Sequence, residues 1–451
     1  METETLIRKK MESAGLSEAA IAAFLASYAQ LKAKATGMIP EKTISPVVDL
    51  PASADLPAPQ NPDELLRQTV VIKLNGGLGT GMGLEKAKSL LPVRDGLTFL
   101  DLIALQILHL RKTAPIRFLL MNSFSTSSDT LEFLKKYPEL GSDIEFLQNK
   151  VPKLTVDTLE PIEWPANSSL EWCPPGHGDI YPSLAGSGLL DQLLSEGIRY
   201  AFVSNSDNLG ATLDTAILDY FAKSDVSFLM EVTRRTNADR KGGHLAADAS
   251  SGHLLLRESA QCPDEDLDQF QDIDRHKFFN TNNLWLRLDR LSETISANNG
   301  VVPLPMIRNS KTVDPRDGSS AKVYQLETAM GAAISAFDKS GAVEVPRTRF
   351  APVKTTADLL TLRSDATVLT PDHRLLLAPE RNGIPPFVDL DSKNYKFVDQ
   401  LDGATPNGVP SLVACDKLTV KGKVRFAAGV KLKGDVSIVN PSPDTVLEYA
   451  G

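Results

Sequence analysis

The chain has 451 residues, with 57 acidic and 48 basic side chains and a net charge of −9. That balance, with no block of lysine or arginine, excludes a nucleic-acid backbone as partner, and no apolar run reaches the ~18 residues of a membrane span. Its three cysteines, Cys173, Cys262 and Cys415, show neither close pairing nor zinc-type spacing, so they read as structural thiols in a reducing, cytoplasmic setting.

Met1–Glu4 is acidic and runs into an amphipathic pattern, which does not read as a secretory signal. Over residues 3–34 apolar side chains recur at helical spacing, with a break and a new helix start at Gly15-Leu16-Ser17. Residues 37–62 carry six prolines, which disfavour helix and predict an extended wrap that completes a first segment, 1–66. A catalytic-sized body follows at 67–370. Its strand candidates are Val70–Leu74, Arg117–Met121, Glu145–Leu147, Tyr200–Ser204, Ser227–Glu231 and Phe279–Leu286. Between them helices are expected at Thr98–Lys112, Ser127–Lys136, Leu189–Glu196 and Leu213–Ala222. This alternation predicts an α/β domain with a mixed, mostly parallel sheet flanked by helices, binding ligands beyond the carboxyl ends of its strands.

The last segment, 371–451, changes rhythm. Leu418, Val424, Val430 and Val436 recur every six residues, and Val420, Phe426, Leu432 and Ile438 keep the same period. Hexapeptide repeats build a β-helix, although paired hairpins could produce part of the pattern. One or two coils bury little surface alone, so the tail is expected to lean on the catalytic body or on another subunit.

The chemistry starts at Val70–Leu74, an apolar run that feeds Asn75 and then five glycines between Gly76 and Gly83. Such a loop can bring backbone N–H groups close to a bulky anion, and Lys86 and Lys88 follow it. It is neither common nucleotide loop. No Gly-Lys pair closes it as a P-loop requires, and Met82 stands where the dinucleotide fingerprint needs glycine. A purely structural turn is the plain alternative.

Further clusters fit the same cleft. Trp172–Asp179 sets His177 between glycines after two prolines, so a flat ligand can approach; a satisfied structural histidine is the alternative. Phe202–Leu209 is an apolar strand ending in Asn205, Ser206, Asp207 and Asn208. An aspartate there can hold Mg²⁺ through one oxygen, or it can simply cap the next helix. Asn280, Asn282 and Glu258, near Arg240–His244, suit a hexose rim because they accept, and in part donate, hydrogen bonds. Lys354, in the stiff segment Arg349–Thr356, could neutralise a phosphate or lie solvated.

Five of these segments are together highly specific: Leu-Asn-Gly-Gly-Leu-Gly-Thr at 74–80, Pro-Pro-Gly-His-Gly-Asp at 174–179, Asn-Ser-Asp-Asn-Leu-Gly at 205–210, Phe-Asn-Thr-Asn-Asn-Leu-Trp at 279–285 and Pro-Val-Lys-Thr-Thr at 352–356. In this order they resemble the eukaryotic-type UTP–glucose-1-phosphate uridylyltransferase family. The resemblance implies a Rossmann-like nucleotidyltransferase sheet with a C-terminal left-handed β-helix. It implies a reaction in which glucose 1-phosphate attacks the α-phosphorus of UTP in line, assisted by Mg²⁺, giving UDP-glucose and pyrophosphate. One departure concerns the first loop, where many relatives carry Gly-Pro before the phosphate lysine and this chain has Leu84-Glu85-Lys86-Ala87-Lys88. Spacing assigns that role to Lys88 and makes Lys86 an extra charge.

By the same resemblance, Leu74, Asn75, Gly76 and Gly77 would hold the nucleotide, with Gly79 near the phosphates and Lys88 on them. Gln148 and Gly176 would read the uracil edge and Met121 would line the base pocket. His177 and Asn205 would touch substrate, and Asp207 would hold the metal. Gly243, Glu258, Asn280 and Asn282 would bind glucose, and Lys354 its phosphate. Assembly of copies through the β-helix is possible in such a family. The competing readings are a broader UDP-sugar enzyme, using galactose 1-phosphate or an N-acetylhexosamine 1-phosphate, and a sugar-nucleotide sensor without activity.

Overall fold

The computed structural model describes residues 3–451; Met1 and Glu2 of the acidic start lie outside the described residues. Its centre is the strand Thr69–Asn75, buried along its whole length. Val71 points into one apolar core, while Val70, Ile72 and Leu74 point into a second. Period-two burial on both faces places this strand inside a sheet covered by helices on both sides. It pairs in parallel with Arg117–Asn122 on one side and Tyr200–Asn205 on the other, and Glu145–Leu147 extends the parallel run.

Beyond Tyr200–Asn205 the sheet turns antiparallel through Phe278–Arg287, which also carries Phe228–Arg234 and touches His244–Asp248. The sheet has ten strands and is mixed, with four parallel strands adjacent at the nucleotide-loop end and a further parallel pair, Phe228–Arg234 with Ser340–Glu344, in the other half. Helix Phe99–Arg111 covers one face with Phe99, Ile103 and Ile107, and starts at a capping box between Thr98 and Asp101. Ile180–Gly186 and Leu189–Ser195 cover the other face with Ile180, Leu184 and Leu193. The parallel strands end together at Asn75, Asn122, Leu147 and Asn205, which opens a cleft along one sheet edge.

The N-terminal helices are Thr3–Ser13 and Glu18–Lys32. Gly15, with φ +75°, breaks them, and the Ser17 hydroxyl accepts from Ala20 N–H to start the second. The proline-rich wrap then contributes a short edge strand, Ile44–Pro46, antiparallel to His244–Asp248. No helix of the described residues is long and apolar enough to cross a membrane.

The tail coils as the six-residue period predicts. Ser411–Lys421 pairs in parallel with Lys431–Val439, placing Leu418 beside Val436 and Val420 beside Ile438, eighteen residues on. One coil is therefore three hexapeptides. Leu418, Val420, Val424, Phe426, Val430, Leu432 and Ile438 join the same core as Phe99 and Phe202, so the coils lean on the body and share its apolar interior.

Hairpins outside the elements predicted from sequence include His244–Asp248 with Leu254–Arg257, and Ile307–Thr312 with Lys322–Glu327. The first had a readable turn signal. Asp248 accepts from the N–H groups of Ser250 and Ser251, and Gly252 takes φ +75°.

Candidate active site

The nucleotide loop leaves the sheet at Asn75, but the Asn75 side chain turns inward. Its Nδ2 donates to Asn122 Oδ1 (2.7 Å) and Thr130 Oγ1 (3.0 Å), and Ser206 Oγ donates to its Oδ1 (3.2 Å). Asn75 thus ties the ends of three neighbouring segments and offers the cleft only its backbone. Leu74 is also buried, and its carbonyl accepts from Ser206 N–H (3.1 Å). Past Gly76 and Gly77 the loop folds back, with Lys88 N–H donating to the Gly77 carbonyl (3.0 Å). Gly79 sits at φ +68° against Leu84 and the Lys88 stem. The fold-back carries Lys88 Nζ to 2.7 Å from Asp207 Oδ2 and onto the Val353 carbonyl. Lys86 is exposed, so of the two lysines it is Lys88 that the loop aims inward.

Asp207 does not cap a helix. The next helix, Thr215–Lys223, is capped by Asp214, which accepts from the N–H groups of Ala216 and Ile217. The Asp207 carboxylate is left for the cleft.

On the base side, Gln148 continues from the edge strand, its N–H donating to the Asn122 carbonyl (2.7 Å) and its Nε2 to the Gly176 carbonyl (3.0 Å). Its Oε1 would lie only 2.7 Å from a Cβ placed on Gly76. Gly76, Gln148 and Gly176 therefore frame one narrow slot. Gly176 has φ +80° and a Cβ there would meet the Thr328 carbonyl at 2.4 Å, so this turn admits glycine alone. Met121 is 2% exposed and packs in the second core, beside Leu74 and Phe146 of the neighbouring strands.

The turn that carries His177 is latched to a facing segment. Thr328 N–H donates to the Pro175 carbonyl and Gly178 N–H to the Thr328 carbonyl, each at 2.9 Å. Met330 N–H donates to His177 Nδ1 at 3.0 Å. Nδ1 is thus an acceptor, which assigns the ring proton to Nε2. Burial pushes the His177 pKa down to about 4, so the ring is a neutral donor at neutral pH.

The sugar-rim candidates converge from four segments. Asn282 takes φ +62° at a bulge, where Glu231 faces Asn283 and Val232 faces Asn280. This turns Asn282 Nδ2 onto Asn205 Oδ1 (3.1 Å), while Asn282 N–H donates to Asn280 Oδ1 (2.8 Å). Gly331, next to the His177 latch, lies close to Asn280 Nδ2. Across the cleft Gly243 is pressed against Glu258, where a Cβ would meet Oε2 at 2.4 Å. Burial raises the Glu258 pKa, against the pull of the Lys354 charge. Lys354 is exposed at the start of helix Thr356–Arg363, with its N–H on Asp358. Contacts therefore join Gly76, Gln148 and Gly176, join Lys88 to Asp207, join Asn205 to Asn282, and join Gly243 to Glu258, while Asn75, Leu74 and Met121 are buried.

Sequence reasoning missed what holds the loops in register. Glu231, fully buried, takes a bidentate pair from Arg349 (2.6 and 2.8 Å) and bonds from Trp285 Nε1 and Asn283 Nδ2 (both 3.0 Å). Asn208 accepts from Ala351 N–H and donates to the Arg349 carbonyl, both at 3.0 Å. The Asp207 loop and the Lys354 segment are therefore stitched side by side. Lys73, 2% exposed, donates to Ser204 Oγ (2.8 Å) and the Ala211 carbonyl (2.6 Å), closing the Asp207 loop at both ends. Burial drops its pKa to about 7. A lysine inside Val70–Leu74 and a glutamate inside Phe228–Val232 were the available signals, since a charge in a buried strand needs a partner.

No group of three or more His, Cys, Asp or Glu side chains able to hold a metal occurs among the described residues. One carboxylate in a cleft lined by lysines fits Mg²⁺ carried in by phosphates, because that ion keeps waters and substrate oxygens in its octahedron.

The sequence model of the UTP–glucose-1-phosphate uridylyltransferase family matches residues 21–433. The chain belongs to that family. The UTP–glucose-1-phosphate uridylyltransferase of Solanum tuberosum is 42% identical over 410 residues, covering 90% of this chain and 82% of the relative. Among solved structures, a variant of the Leishmania major UDP-glucose pyrophosphorylase in complex with UDP-glucose is 51% identical, with a TM-score of 0.95 over 100% of this chain and 97% of that one. A Trypanosoma brucei protein described as a UDP-glucose phosphorylase is 52% identical, with a TM-score of 0.91 over 100% and 97%. This uridylyltransferase-family member therefore shares fold and length with both solved proteins.

Proposed function

We infer that the chain transfers the uridylyl group of UTP to glucose 1-phosphate, releasing pyrophosphate and forming UDP-glucose. The observation that carries the reading is the meeting of Lys88, Asp207 and the Val353–Lys354 segment at the end of the parallel strands. The sugar-phosphate oxygen forms the new bond to the α-phosphorus as the bond to the pyrophosphate oxygen breaks, and no protein nucleophile is needed. Two anions must meet, which costs about 4 kcal/mol per pair of unit charges 4 Å apart at a partly buried site. Lys354 would offset the charge of the sugar phosphate, and Lys88 that of the nucleotide phosphates. Asp207 would hold Mg²⁺, which supplies further neutralisation of phosphate charge when bound. His177 would donate a hydrogen bond from Nε2–H to a substrate oxygen, keeping its proton and its neutral charge. Catalysis here is positioning and charge compensation by groups fixed in advance.

Gln148 and Gly176 would read the uracil edge, and the narrow slot at Gly76 favours a small pyrimidine over a purine. Gly243, Glu258, Asn205, Asn280 and Asn282 would bind the hexose. The outer end of the tail leaves Val439, Val446 and Leu447 exposed, which supports association of copies through that surface. The deciding assay is pyrophosphate release from UTP and Mg²⁺ with glucose 1-phosphate, beside galactose 1-phosphate and N-acetylglucosamine 1-phosphate. Release with glucose 1-phosphate alone is expected. Equal release with another sugar would make this a broader UDP-sugar enzyme, and none at all would favour the sensor.

A further inference from the structure

The proline-rich wrap does more than cross the surface. Its Glu41 reaches into the sheet, where Arg257 Nη1 donates to Oε2 (2.7 Å) and Arg275 Nε to Oε1 (2.7 Å). His276 Nε2 lies 3.0 Å from the same Oε1. Burial opposes charge on Glu41, yet the bonds from Arg275 and His276 outweigh it and hold its pKa below the ordinary carboxylate value. The backbone is pinned at Glu41 and just before it. Its own N–H donates to Asp266 Oδ2 (2.6 Å), and Ile39 N–H donates to the Gln261 carbonyl (2.7 Å).

What Glu41 grips lies directly behind the sugar rim. Arg257 and His276 have no exposed side-chain surface, and His276 stacks on His244 with ring centroids 3.8 Å apart. His244 faces Arg257 across the hairpin. The next residues outward are Gly243 and Glu258, the pair in contact at the cleft. Successive residues of a strand point to opposite faces. A shift of the buried Arg257 or His244 therefore carries Glu258 or Gly243 with it. Arg257 Nε has no hydrogen-bond partner, so its bonds to Glu41 and Asp266 are what fix the guanidinium.

We propose that Glu41 is a positioning residue for the sugar: from the wrap, it sets Gly243 and Glu258 through Arg257, His276 and His244. The inference rests on the reading of Gly243 and Glu258 as sugar-binding. None of these contacts involves the nucleotide loop or the Gln148 slot, so the effect is confined to the hexose.

The test is equilibrium binding of UDP-glucose and of UDP to the full chain, alongside KM for each substrate, in Glu41→Gln, Glu41→Asp and Glu258→Gln. Glu41→Gln is expected to weaken UDP-glucose about tenfold and to raise KM for glucose 1-phosphate similarly, with UDP binding and KM for UTP unchanged. Glu41→Asp, which keeps the charge, is expected to restore part of the loss, and it stands in if Glu41→Gln does not fold. A merely structural role would weaken UDP and UDP-glucose together, and that result overturns the proposal. So does unchanged UDP-glucose binding in a folded Glu41→Gln while Glu258→Gln loses it. If Glu258→Gln binds UDP-glucose normally, the sugar-rim reading itself fails and the proposal falls with it.

Discussion

Lys88 Nζ donates to Asp207 Oδ2 at 2.7 Å, across 119 residues of sequence, and also to the carbonyl of Val353, 265 residues away. The lysine proposed for the nucleotide phosphates and the carboxylate proposed for the metal thus form one unit before any phosphate arrives. Two consequences can be measured.

Replacing either member should lower kcat roughly 10²–10³-fold, the scale seen when one fixed charge-stabilising group is removed. Because the two touch, the double variant Lys88→Ala/Asp207→Ala should be little worse than the more damaged single. Circular dichroism should show the fold retained. Strictly multiplicative losses would mean that the groups act apart, and a near-normal rate in folded Asp207→Ala would remove its metal role.

The stitch between the Asp207 loop and the Lys354 segment should matter although it touches no substrate. Asn208→Ala removes both its bonds to residues 349–351. We expect a stability loss of about 1–3 kcal/mol for the unpaired buried groups. Turnover of the folded enzyme should also fall, ~10²-fold, because a shift of about 1 Å in a positioned group has that scale. Denaturant melts beside steady-state kinetics separate the two, and equal, small losses in both would assign Asn208 a packing role only.

His177 gives a signed pH effect. Its folded pKa, about 4, lies below the ordinary value near 6.5, so between these pH values the unfolded chain binds more protons than the folded one. Stability should fall as pH drops through that window and level off below it. His244, lowered to about 2 by burial, acts in the same direction, so the difference from His177→Gln isolates His177. The variant should lose less stability between pH 7 and pH 5, as read by urea unfolding midpoints; parallel losses would refute the depressed pKa.

Gly176→Ala should damage the nucleotide site selectively. Its backbone region costs an alanine roughly 1–3 kcal/mol, and overlap with the Thr328 carbonyl adds about 1–3 kcal/mol. The Pro175–Gly178 turn should swing away, moving Gln148 and His177 together. KM for UTP should rise, while Gly77→Ala, with nothing within 4 Å of its added Cβ, should leave stability close to normal.

The sheet was legible where local chemistry was loud. Val70–Leu74 and Tyr200–Ser204 are short apolar runs beside glycine or polar turns, and both fall within strands. The six-residue period of the tail survives as an eighteen-residue register. Motifs at 174–179 and 279–285 were visible because glycine and asparagine mark special backbone, and Gly176 and Asn282 do take positive φ. What stayed hidden were partnerships whose halves lie far apart. Glu231 and Arg349, or Glu41 and Arg257, are ordinary residues until the fold buries them within bonding distance. Asn75 shows the converse, since its motif is local but its side chain is spent inside.

The Glu231–Arg349 pair also sets an order of assembly. Glu231 has no exposed surface, and its counter-charge lies 118 residues downstream. On a ribosome every strand of the sheet through Arg287 emerges before Arg349, which at about 5–20 residues per second leaves a wait of roughly 3–12 s. During that wait the antiparallel half can close over Glu231 only with its charge uncompensated or its carboxyl protonated, and either state costs stability relative to the finished pair. A nascent chain stopped short of Arg349 would hold the whole nucleotide loop and no finished cleft, and this is the stretch of synthesis in which the protein most needs shielding from its neighbours.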